Sequence, residues 1–170
     1  MTMGTNTSLP QGLATNSSGR AATNESMQIV AICLVHNEDI FLDRVVRNIS
    51  AVCDRILIAD HQSTDGTARI GQEWQSRLAS VTYRRIRLPS ESHEMIRPFA
   101  NTRTWVFPVD GDEIYDPAGL ERMRTSIMSG ACDAHRQVYG NVLHCTSLDM
   151  TCKTASGYLA PPSRSMMTVS

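Results

Sequence analysis

The stretch "VFPVDGDEIYDP", residues 106–117, runs from an apolar, strand-like segment directly into an acidic turn. Asp110, Asp112 and Glu113 fall within four positions, and Gly111 is the only residue between the two aspartates. Like charges this close repel each other unless solvent or a cation relieves the repulsion. An isolated Asp-x-Asp is usually a solvated turn, because aspartate is common in turns. Here the pair directly follows a predicted strand, and that position favours a functional site.

Apolar runs upstream of this stretch have the character of buried strands. They are "QIVAICLV" at 28–35, "RILIAD" at 55–60 and "VTYRRIRL" at 81–88, and "TWVFPV" at 104–109 leads into the acidic turn. Continuous runs rich in β-branched residues are typical of strands covered on both faces of a sheet. Eight residues of these runs are predicted to lie buried in one sheet: Val30, Ile32, Leu34, Ile56, Leu57, Ile58, Val106 and Val109.

Helical patterns lie between these strands. Apolar residues from Phe41 to Val52 recur at the spacing of one helix face. The turn "STDGT" leads into an amphipathic helix around Trp74, and Asp65 is predicted to be its N-cap. A short helical or irregular piece is predicted at about residues 92–102.

A last helix and further strands follow the acidic turn. Asp116 and Pro117 predict the N-cap and first residue of this helix, and Gly130 is predicted to close it. The segment "DAHRQVYGNVLHCTS" at 133–147 predicts one or two strands, with a break at Gly140.

The alternation of strands and helices predicts an α/β fold with a Rossmann-like, mostly parallel sheet flanked by helices. In such sheets, ligands bind beyond the carboxyl ends of the strands. Three predicted strand ends are polar: "HNE" at 36–38, "DHQSTD" at 60–65 and "DGDE" at 110–113. We expect these segments to converge on one edge of the sheet and to form the site.

The chain divides into three parts by composition. In residues 1–26, twelve residues are Ser, Thr or Asn, so this segment cannot bury enough apolar surface to order itself and is predicted to be a disordered tail. Residues 27–150 carry the α/β pattern. Residues 151–170 are predicted to be a loop or a truncated continuation of the fold.

Charge, hydropathy and cysteine usage exclude several classes of protein. The net charge of −1 provides no basic patch for a nucleic acid partner. The longest apolar run, "IVAICLV" at 29–35, is too short for a transmembrane segment, and no secretory signal pattern is present. The five cysteines form no C-x-x-C pair, which favours a reducing compartment, so we expect a cytoplasmic protein.

Clustered carboxylates are suited to a hard divalent cation such as magnesium, manganese or calcium. A helix-loop-helix calcium site is excluded, because Ile114 stands where a ligand belongs and Tyr115 where the loop requires glycine. A dinucleotide-binding turn is excluded because the segment directly after the first strand contains no glycine. A P-loop is excluded because the only lysine is Lys153 and no G-x-x-x-x-G-K motif is present.

The motifs, taken together, resemble family-two glycosyltransferases with the GT-A fold. The resemblance rests on "VAICLVHNEDIFLDRVVRN", then "CDRILIADHQSTDGT", then "WVFPVDGDE", and it covers about residues 28–118. It implies a GT-A-like sheet and the transfer of a sugar from a nucleotide-sugar donor to an acceptor that the sequence does not identify. It also implies a divalent cation, manganese or magnesium, at the D-x-D motif.

The resemblance assigns roles to five residues. Asn37, Glu38 and Asp60 fall where the family contacts the nucleotide. Asp112 falls where the family holds the metal, and Asp110 where it meets metal or ribose, so Asp110 is assigned to both.

Four neighbouring residues are open to a structural or a functional interpretation. His36 and His61 flank the predicted site, and His61 stands where the family more often has a small polar or acidic residue. Arg97 and Arg103 are candidates for diphosphate contacts, although a plain surface role is favoured for both.

The resemblance does not identify a catalytic residue. The family's general base is a carboxylate well downstream of the D-x-D motif. Glu113, Asp116, Glu121, Asp133 and Asp149 are the acidic residues in that part, and none lies in a recognisable acceptor motif. The chain is therefore expected to be the donor-binding half of the fold, truncated on the acceptor side. The alternative is a catalytically silent nucleotide-binding or scaffold module with the same fold.

Overall fold

A computed structural model describes residues 26–149, 151–152, 154–160 and 166–169. Residues 1–25, nearly all of the predicted disordered tail, lie outside these described residues. No helix within the described part of the chain is long and apolar enough to cross a membrane.

Strands and helices alternate in the first part of the chain as predicted. The elements are β1 (Gln28–Val35), α1 (Leu42–Ile49), β2 (Arg55–His61), α2 (Thr67–Arg77), β3 (Val81–Ile86), α3 (Ser92–Ile96), β4 (Thr104–Asp110) and α4 (Pro117–Met128). Short 3-10 turns flank α3 at Pro89–Glu91 and Arg97–Phe99, so the predicted irregular piece is one short helix between two turns.

Four further strands follow α4. They are β5 (Gln137–Tyr139), β6 (Val142–Asp149), β7 (Thr154–Ala160) and β8 (Met166–Val169). The predicted break at Gly140 is confirmed, because β5 ends just before it and β6 begins just after it.

Six strands of the described residues form one sheet in the order β3-β2-β1-β4-β8-β5. β1 pairs in parallel with both β2 and β4, and β2 pairs in parallel with β3. β8 runs antiparallel to β4 and β5. The predicted mostly parallel α/β sheet is therefore confirmed. The chain builds from β1 through β2 to β3 and then crosses to the other side of β1, so the strand order reverses between β1 and β4.

Each face of the parallel strands has its own core. On one face, Ile29, Ala31, Cys33 and Val35 pack with apolar residues of α1, α2 and α4. The other face is covered by α3, whose Met95 joins a smaller cluster of buried strand residues. Seven of the eight residues predicted to be buried in the sheet are buried: Val30, Ile32, Ile56, Leu57, Ile58, Val106 and Val109.

The prediction that Leu34 is buried is wrong, since this side chain is 38% exposed. Leu34 shares the α3 face with Ile32, two residues earlier in β1. It lies at the carboxyl end of the strand, where it lines an open cavity. A continuous apolar run predicts a strand but does not reveal which end of it is left uncovered.

The predicted caps of two helices had different outcomes. Asp116 is the N-cap of α4, and its carboxylate accepts hydrogen bonds from the backbone N–H groups of Ala118 and Gly119. The prediction for α2 is wrong, because the N-cap is Gly66 and makes no side-chain bond. Asp65 lies one residue earlier, and its carboxylate accepts from the backbone N–H groups of Thr67 and Asp39. It therefore links the first residue of α2 to the loop after β1, and it does so from the position before the N-cap.

The end of the chain was predicted to be a loop or a truncated continuation of the fold, and its described residues contain strands. Of the stretch 151–170, the structure describes β7, which pairs with β6 as a separate two-stranded antiparallel sheet, and β8, which lies beside β4. These described strands continue the fold, which is the second of the two predicted possibilities, and truncation stays a prediction. β8 gains its partners from distant segments, and such pairing leaves little signal in the local sequence.

Candidate functional site at the carboxyl edge of the sheet

The three polar segments predicted to converge do meet, at the carboxyl ends of β1, β2 and β4. The strand register sets Leu34 beside Asp110 and Val35 beside Asp60. A cavity of about 330 Å³ opens there. It is lined by Leu34, Val35, His36, Glu38, His61, Asp110, Gly111 and Asp112. The cavity lies where the strand order reverses, which is the position at which open α/β sheets bind their ligands.

The acidic segment after β4 is a tight turn. The backbone N–H of Glu113 donates to the carbonyl of Asp110 at 3.2 Å. The Glu113 carboxylate folds back over this turn, where it accepts from the Tyr115 hydroxyl and from the backbone N–H of Asp110. Asp110 and Asp112 remain exposed at the cavity. Of the three carboxylates in this turn, these two are therefore the ones presented to a ligand.

Gly111 lets the turn approach β1 closely. A Cβ atom at this position would lie 2.6 Å from Cγ of Glu38 and 3.0 Å from Cγ1 of Val35, which is too close for normal packing. Glycine at 111 therefore brings the aspartates on either side of it against the wall formed by Glu38. The "DGD" spacing has a packing cause in addition to any ligand it holds.

The carboxylates of the cavity interact with one another. Partial burial, followed by the charges of Asp112, Asp65 and Asp110, raises the pKa of Glu38. Partial burial and the nearby carboxylates of Glu113 and Asp112 raise the pKa of Asp110. No lysine or arginine is among the residues that line this cavity in the described chain. The site thus holds uncompensated negative charge.

Asn37, predicted to contact the nucleotide, connects the loops after β1 and β2. Its backbone is in the left-handed region, with φ of 59°, and its N–H donates to Oγ of Ser63 at 2.9 Å. Its Oδ1 accepts from the backbone N–H of Thr64 at 2.8 Å. Asn37 lies between two residues that line the cavity, His36 and Glu38, but it is not itself among the described lining residues.

Asp60, the other predicted nucleotide contact, is fully buried. Its Oδ1 accepts from the backbone N–H of Ser63 at 2.8 Å, and its Oδ2 accepts from the Tyr83 hydroxyl at 2.6 Å. Burial acts to raise the pKa of Asp60, but the hydrogen bonds from Ser63 and Tyr83 and the charge of Arg85 outweigh it and lower the pKa. Asp60 supports the loop after β2 in this structure. A contact with a base stays a prediction, and it requires the carboxylate to exchange one of these bonds.

Tyr83 is a residue of the site that sequence reasoning missed. Its ring lies against α2 at Gly71, where a Cβ atom would come within 2.3 Å of the ring. This close approach places the hydroxyl on Asp60, and partial burial together with the Asp60 carboxylate raises the pKa of Tyr83 well above its usual range. A small residue one turn into α2 and an aromatic residue in β3 were the available signals, but they become meaningful only after the strand and helix are paired.

The two histidines predicted to flank the site both line the cavity. Their ring centroids are 5.6 Å apart, and Nδ1 of His36 lies 2.6 Å from the carbonyl oxygen of His61. Arg103 and Arg97 are not at this edge. Arg103 directly precedes β4, where it pairs with Asp133 at 3.9 Å, and Arg97 lies in the 3-10 turn that leads toward the same amino end. These positions fit the surface role that the sequence favoured for both arginines.

The donor chemistry of the cavity fits a divalent cation only in part. Asp110 and Asp112 offer hard carboxylate oxygens, which magnesium and manganese prefer. Within the described residues, no group of three or more His, Cys, Asp or Glu side chains is placed to hold a metal ion. Two carboxylates leave most of a cation's coordination positions open. The arrangement fits a cation that is shared with an oxygen-rich ligand.

Known protein families provide no sequence match. No family model matches the chain, and no curated protein does so either.

Solved structures do resemble it. The mannosyltransferase PcManGT from Pyrobaculum calidifontis, in complex with GDP-Man and Mn2+, has a TM-score of 0.52 at 15% identity and matches 68% of this chain and 36% of its own. A 4-diphosphocytidyl-2C-methyl-D-erythritol synthase from Anaerococcus prevotii has a TM-score of 0.52 at 12% identity and matches 84% of this chain and 70% of its own. S. aureus TarS 1-349 has a TM-score of 0.48 at 17% identity and matches 65% of this chain and 34% of its own.

The two matches with a TM-score of 0.52 show the fold. The chain spans about a third of the length of TarS 1-349 and of the mannosyltransferase. At these identities the likeness concerns architecture alone, and it agrees with the strand order and parallel pairing described above. The chain has a GT-A-like α/β fold.

Proposed function

We propose that this chain is the donor-binding unit of a glycosyltransferase, which moves a sugar from a nucleotide-sugar donor to an acceptor. The observation that carries the proposal is the acidic cavity at the β1–β4 switch point, where Glu38, Asp110 and Asp112 meet without a lysine or arginine among the lining residues described. Such a cavity would repel a diphosphate on its own. It would accept one together with a divalent cation.

Asp110 and Asp112 are the residues proposed to hold that cation. A bound manganese or magnesium ion would neutralise charge on the diphosphate and stabilise it as a leaving group. The tight turn fixes the two carboxylates against β1, and Gly111 permits this contact. The match to a mannosyltransferase whose structure contains GDP-Man and Mn2+ supports the choice of ligand class.

The other predicted nucleotide-binding residues are proposed to act around this centre. Glu38 forms the wall of the cavity beside the acidic turn. Asn37 and Asp60 hold the loops after β1 and β2 in place through Ser63, which bonds to both. The bond of Asn37 to Ser63 comes from its backbone N–H, and its side chain bonds to Thr64 of the same loop. We propose that these loops border the nucleotide, so Asn37 and Asp60 fix its surroundings.

A nucleotide-binding module without transferase activity is a second candidate. In the described chain, the acidic residues after Asp112 have other roles or lie away from the cavity lining. Asp116 caps α4, Asp133 pairs with Arg103, and Asp149 accepts from the backbone of the turn after β6. Glu113 is bonded to Tyr115, and Glu121 is exposed on α4. Because none of these described acidic residues lines the cavity, we propose that this chain binds the donor. The general base that activates the acceptor is then supplied by other residues.

Titration calorimetry tests whether the chain binds nucleotides, as both candidate functions require. The panel is nucleoside diphosphates, nucleoside triphosphates and nucleotide sugars, each with and without manganese. We expect nucleoside diphosphates and nucleotide sugars to bind only with the metal. Slow release of free sugar from a bound nucleotide sugar would favour the transferase over the silent module. Binding of triphosphates with release of pyrophosphate, or no binding of any nucleotide with manganese present, would contradict the proposal.

A further inference from the structure

A chain of hydrogen bonds runs from the loop after β2 into the cavity through Asn37 and His36. The backbone N–H of Thr64 donates to Oδ1 of Asn37 at 2.8 Å. Nδ2 of Asn37 lies 3.3 Å from Nε2 of His36. Nδ1 of His36 lies 2.6 Å from the carbonyl oxygen of His61. The chain of bonds therefore begins in the loop after β2, ends at the last residue of β2, and encloses the histidine ring between its two ends.

Donor and acceptor chemistry fixes every proton in this chain. A backbone N–H can only donate, so the oxygen of the Asn37 amide must face Thr64 and its NH2 group must face His36. Nε2 of His36 must then accept and carry no proton. A backbone carbonyl can only accept, so Nδ1 of His36 must carry the proton that it donates to His61. The two ends reach the same assignment independently.

We propose that His36 is a positioning residue, held as the neutral Nδ1–H tautomer by Asn37 and the His61 carbonyl, which joins the β1 and β2 ends of the cavity. The effect of His36 on ligand binding rests on the proposed function. The tautomer of His36 does not depend on that function. Both ring nitrogens are engaged, so His36 does not serve as a general base or a metal ligand while the chain of bonds is intact. Glu38, Asp110 and Asp112 line the same cavity, and a proton on Nε2 would oppose the NH2 group of Asn37.

Nitrogen NMR of the histidine rings tests the tautomer directly on the full chain, with no ligand present. At a pH of about 8, above the ordinary titration range of histidine, we expect the pattern of His36 to show a proton on Nδ1 and none on Nε2. A proton on Nε2, or rapid averaging of the two tautomers, would overturn the proposal.

A substitution in Asn37 supplies the matched test. Asn37→Asp keeps the acceptor for Thr64 but replaces the NH2 group by an oxygen, so we expect Nε2 of His36 to become protonated. Asn101→Asp is the control, because Asn101 also has a left-handed backbone, with φ of 63°, and lies in the loop before β4. An unchanged His36 spectrum in Asn37→Asp, or the same change in Asn101→Asp, would contradict the assignment.

Nucleoside diphosphate binding measures the effect of His36 on the cavity. His36→Leu removes both ring nitrogens, and we expect it to weaken manganese-dependent nucleoside diphosphate binding by about tenfold, as for other residues that orient a site. His36→Asn retains a donor for the His61 carbonyl and should recover part of this loss. Equal loss in both variants would indicate direct contact with the ligand and would overturn the positioning role. Absence of nucleotide binding in the unmodified chain would count against the proposed function and leave the tautomer result standing.

Discussion

Gly111 brings two acidic segments closer together than any other residue would allow. The space between the turn after β4 and β1 is filled by Glu38 and Val35, whose side-chain atoms lie 2.6 and 3.0 Å from the position that a Cβ atom would occupy. The side chain of Val35 is buried and cannot yield easily. The absence of a side chain at the single residue between Asp110 and Asp112 thus sets how closely the acidic turn approaches β1.

We predict that Gly111→Ala destabilises the protein by about 1–3 kcal/mol, the usual cost of overpacking. The measurement is chemical denaturation. Gly140→Ala is the matched control, since no described residue beyond its chain neighbours comes within 4 Å of a Cβ at that position. Equal stability of the two variants would show that the contact with Glu38 and Val35 is relaxed at no cost.

Asp112 contributes to the repulsion inside the cavity. It helps to raise the pKa values of Glu38 and Asp110, after partial burial and, for Asp110, the charge of Glu113. A carboxyl group whose pKa is raised by folding gives stability below its unfolded pKa, and this contribution is lost as the pH rises through the folded value. Removing the Asp112 charge should reverse part of that loss.

We predict that Asp112→Asn raises the free energy of unfolding of the free protein at neutral pH by a few tenths of a kcal/mol, a small value because the exposed charges are screened by solvent. The gain should disappear in acid, where Glu38 and Asp110 are protonated. Urea denaturation at a series of pH values measures it, with Glu121→Gln as a control on the exposed surface of α4. A variant that is less stable than the parent at neutral pH would refute the repulsion.

Tyr83 satisfies one oxygen of the buried Asp60 carboxylate. We predict that Tyr83→Phe costs about 1–3 kcal/mol, because it leaves a buried charged acceptor short of a partner. Tyr139→Phe is the control, since its hydroxyl bonds to the exposed side chain of Gln137. Thermal denaturation of both variants tests this, and an equal midpoint in the two would mean that solvent replaces the Tyr83 hydroxyl.

The sequence predicted the site at the level of segments and only partly at the level of single residues. Strand ends carry their polarity in the local sequence, so the convergence of "HNE", "DHQSTD" and "DGDE" followed from the fold class. The direction of each side chain did not, because it depends on partners from other elements. Asp60 points into the core toward Tyr83, and Asn37 points toward Thr64.

A clamp joins three elements at the opposite edge of the sheet. Both oxygens of Asp54 accept from the Arg124 guanidinium, at 2.8 and 3.1 Å, and Oδ2 also accepts from the backbone N–H of Ile29 at 2.7 Å. Arg124 also donates to the Val52 carbonyl at 2.6 Å. The clamp thus ties α4 to the start of β1 and to the loop before β2. Partial burial opposes ionisation of Asp54, but the bonds from Arg124 and Ile29 outweigh it and lower its pKa.

We predict that Asp54→Asn lowers the free energy of unfolding by about 1–3 kcal/mol at neutral pH, as expected for hydrogen bonds to charged groups. A carboxyl group with a lowered pKa contributes stability above its unfolded pKa, and the contribution is lost as the pH falls through the folded value. The difference between variant and parent should therefore shrink in acid. Glu73→Gln is the control, because its ion pairs with Arg69 and Arg77 are exposed and should be worth less than about 1 kcal/mol. Equal effects of the two substitutions at neutral pH would contradict the clamp.

Elements were predicted well where their signal is local and poorly where it is not. The runs that became β1, β2 and β4 are apolar and continuous, and the cap of α4 is written in two adjacent residues, Asp116 and Pro117. β8 is different, because it owes its place to pairing with β4 and β5 across a long stretch of chain.

At the scale of the whole molecule, the acidic cavity and two ion pairs lie at different edges of the sheet. The carboxyl edge carries the acidic cavity, whereas the Asp54–Arg124 clamp and the Arg103–Asp133 pair lie toward the amino edge. The residues described as lining the cavity include no lysine or arginine to balance its negative charge. We propose that a cation that arrives with the ligand balances it.

Calorimetry of the parent chain and Asp112→Asn tests this central claim most directly. A nucleoside diphosphate is titrated into each protein with and without manganese. We predict binding to the parent only when manganese is present, and no detectable binding to Asp112→Asn under either condition. Equal affinity of the two proteins with manganese present would contradict the claim, because the "DGDE" segment would then be a solvated turn and nothing more.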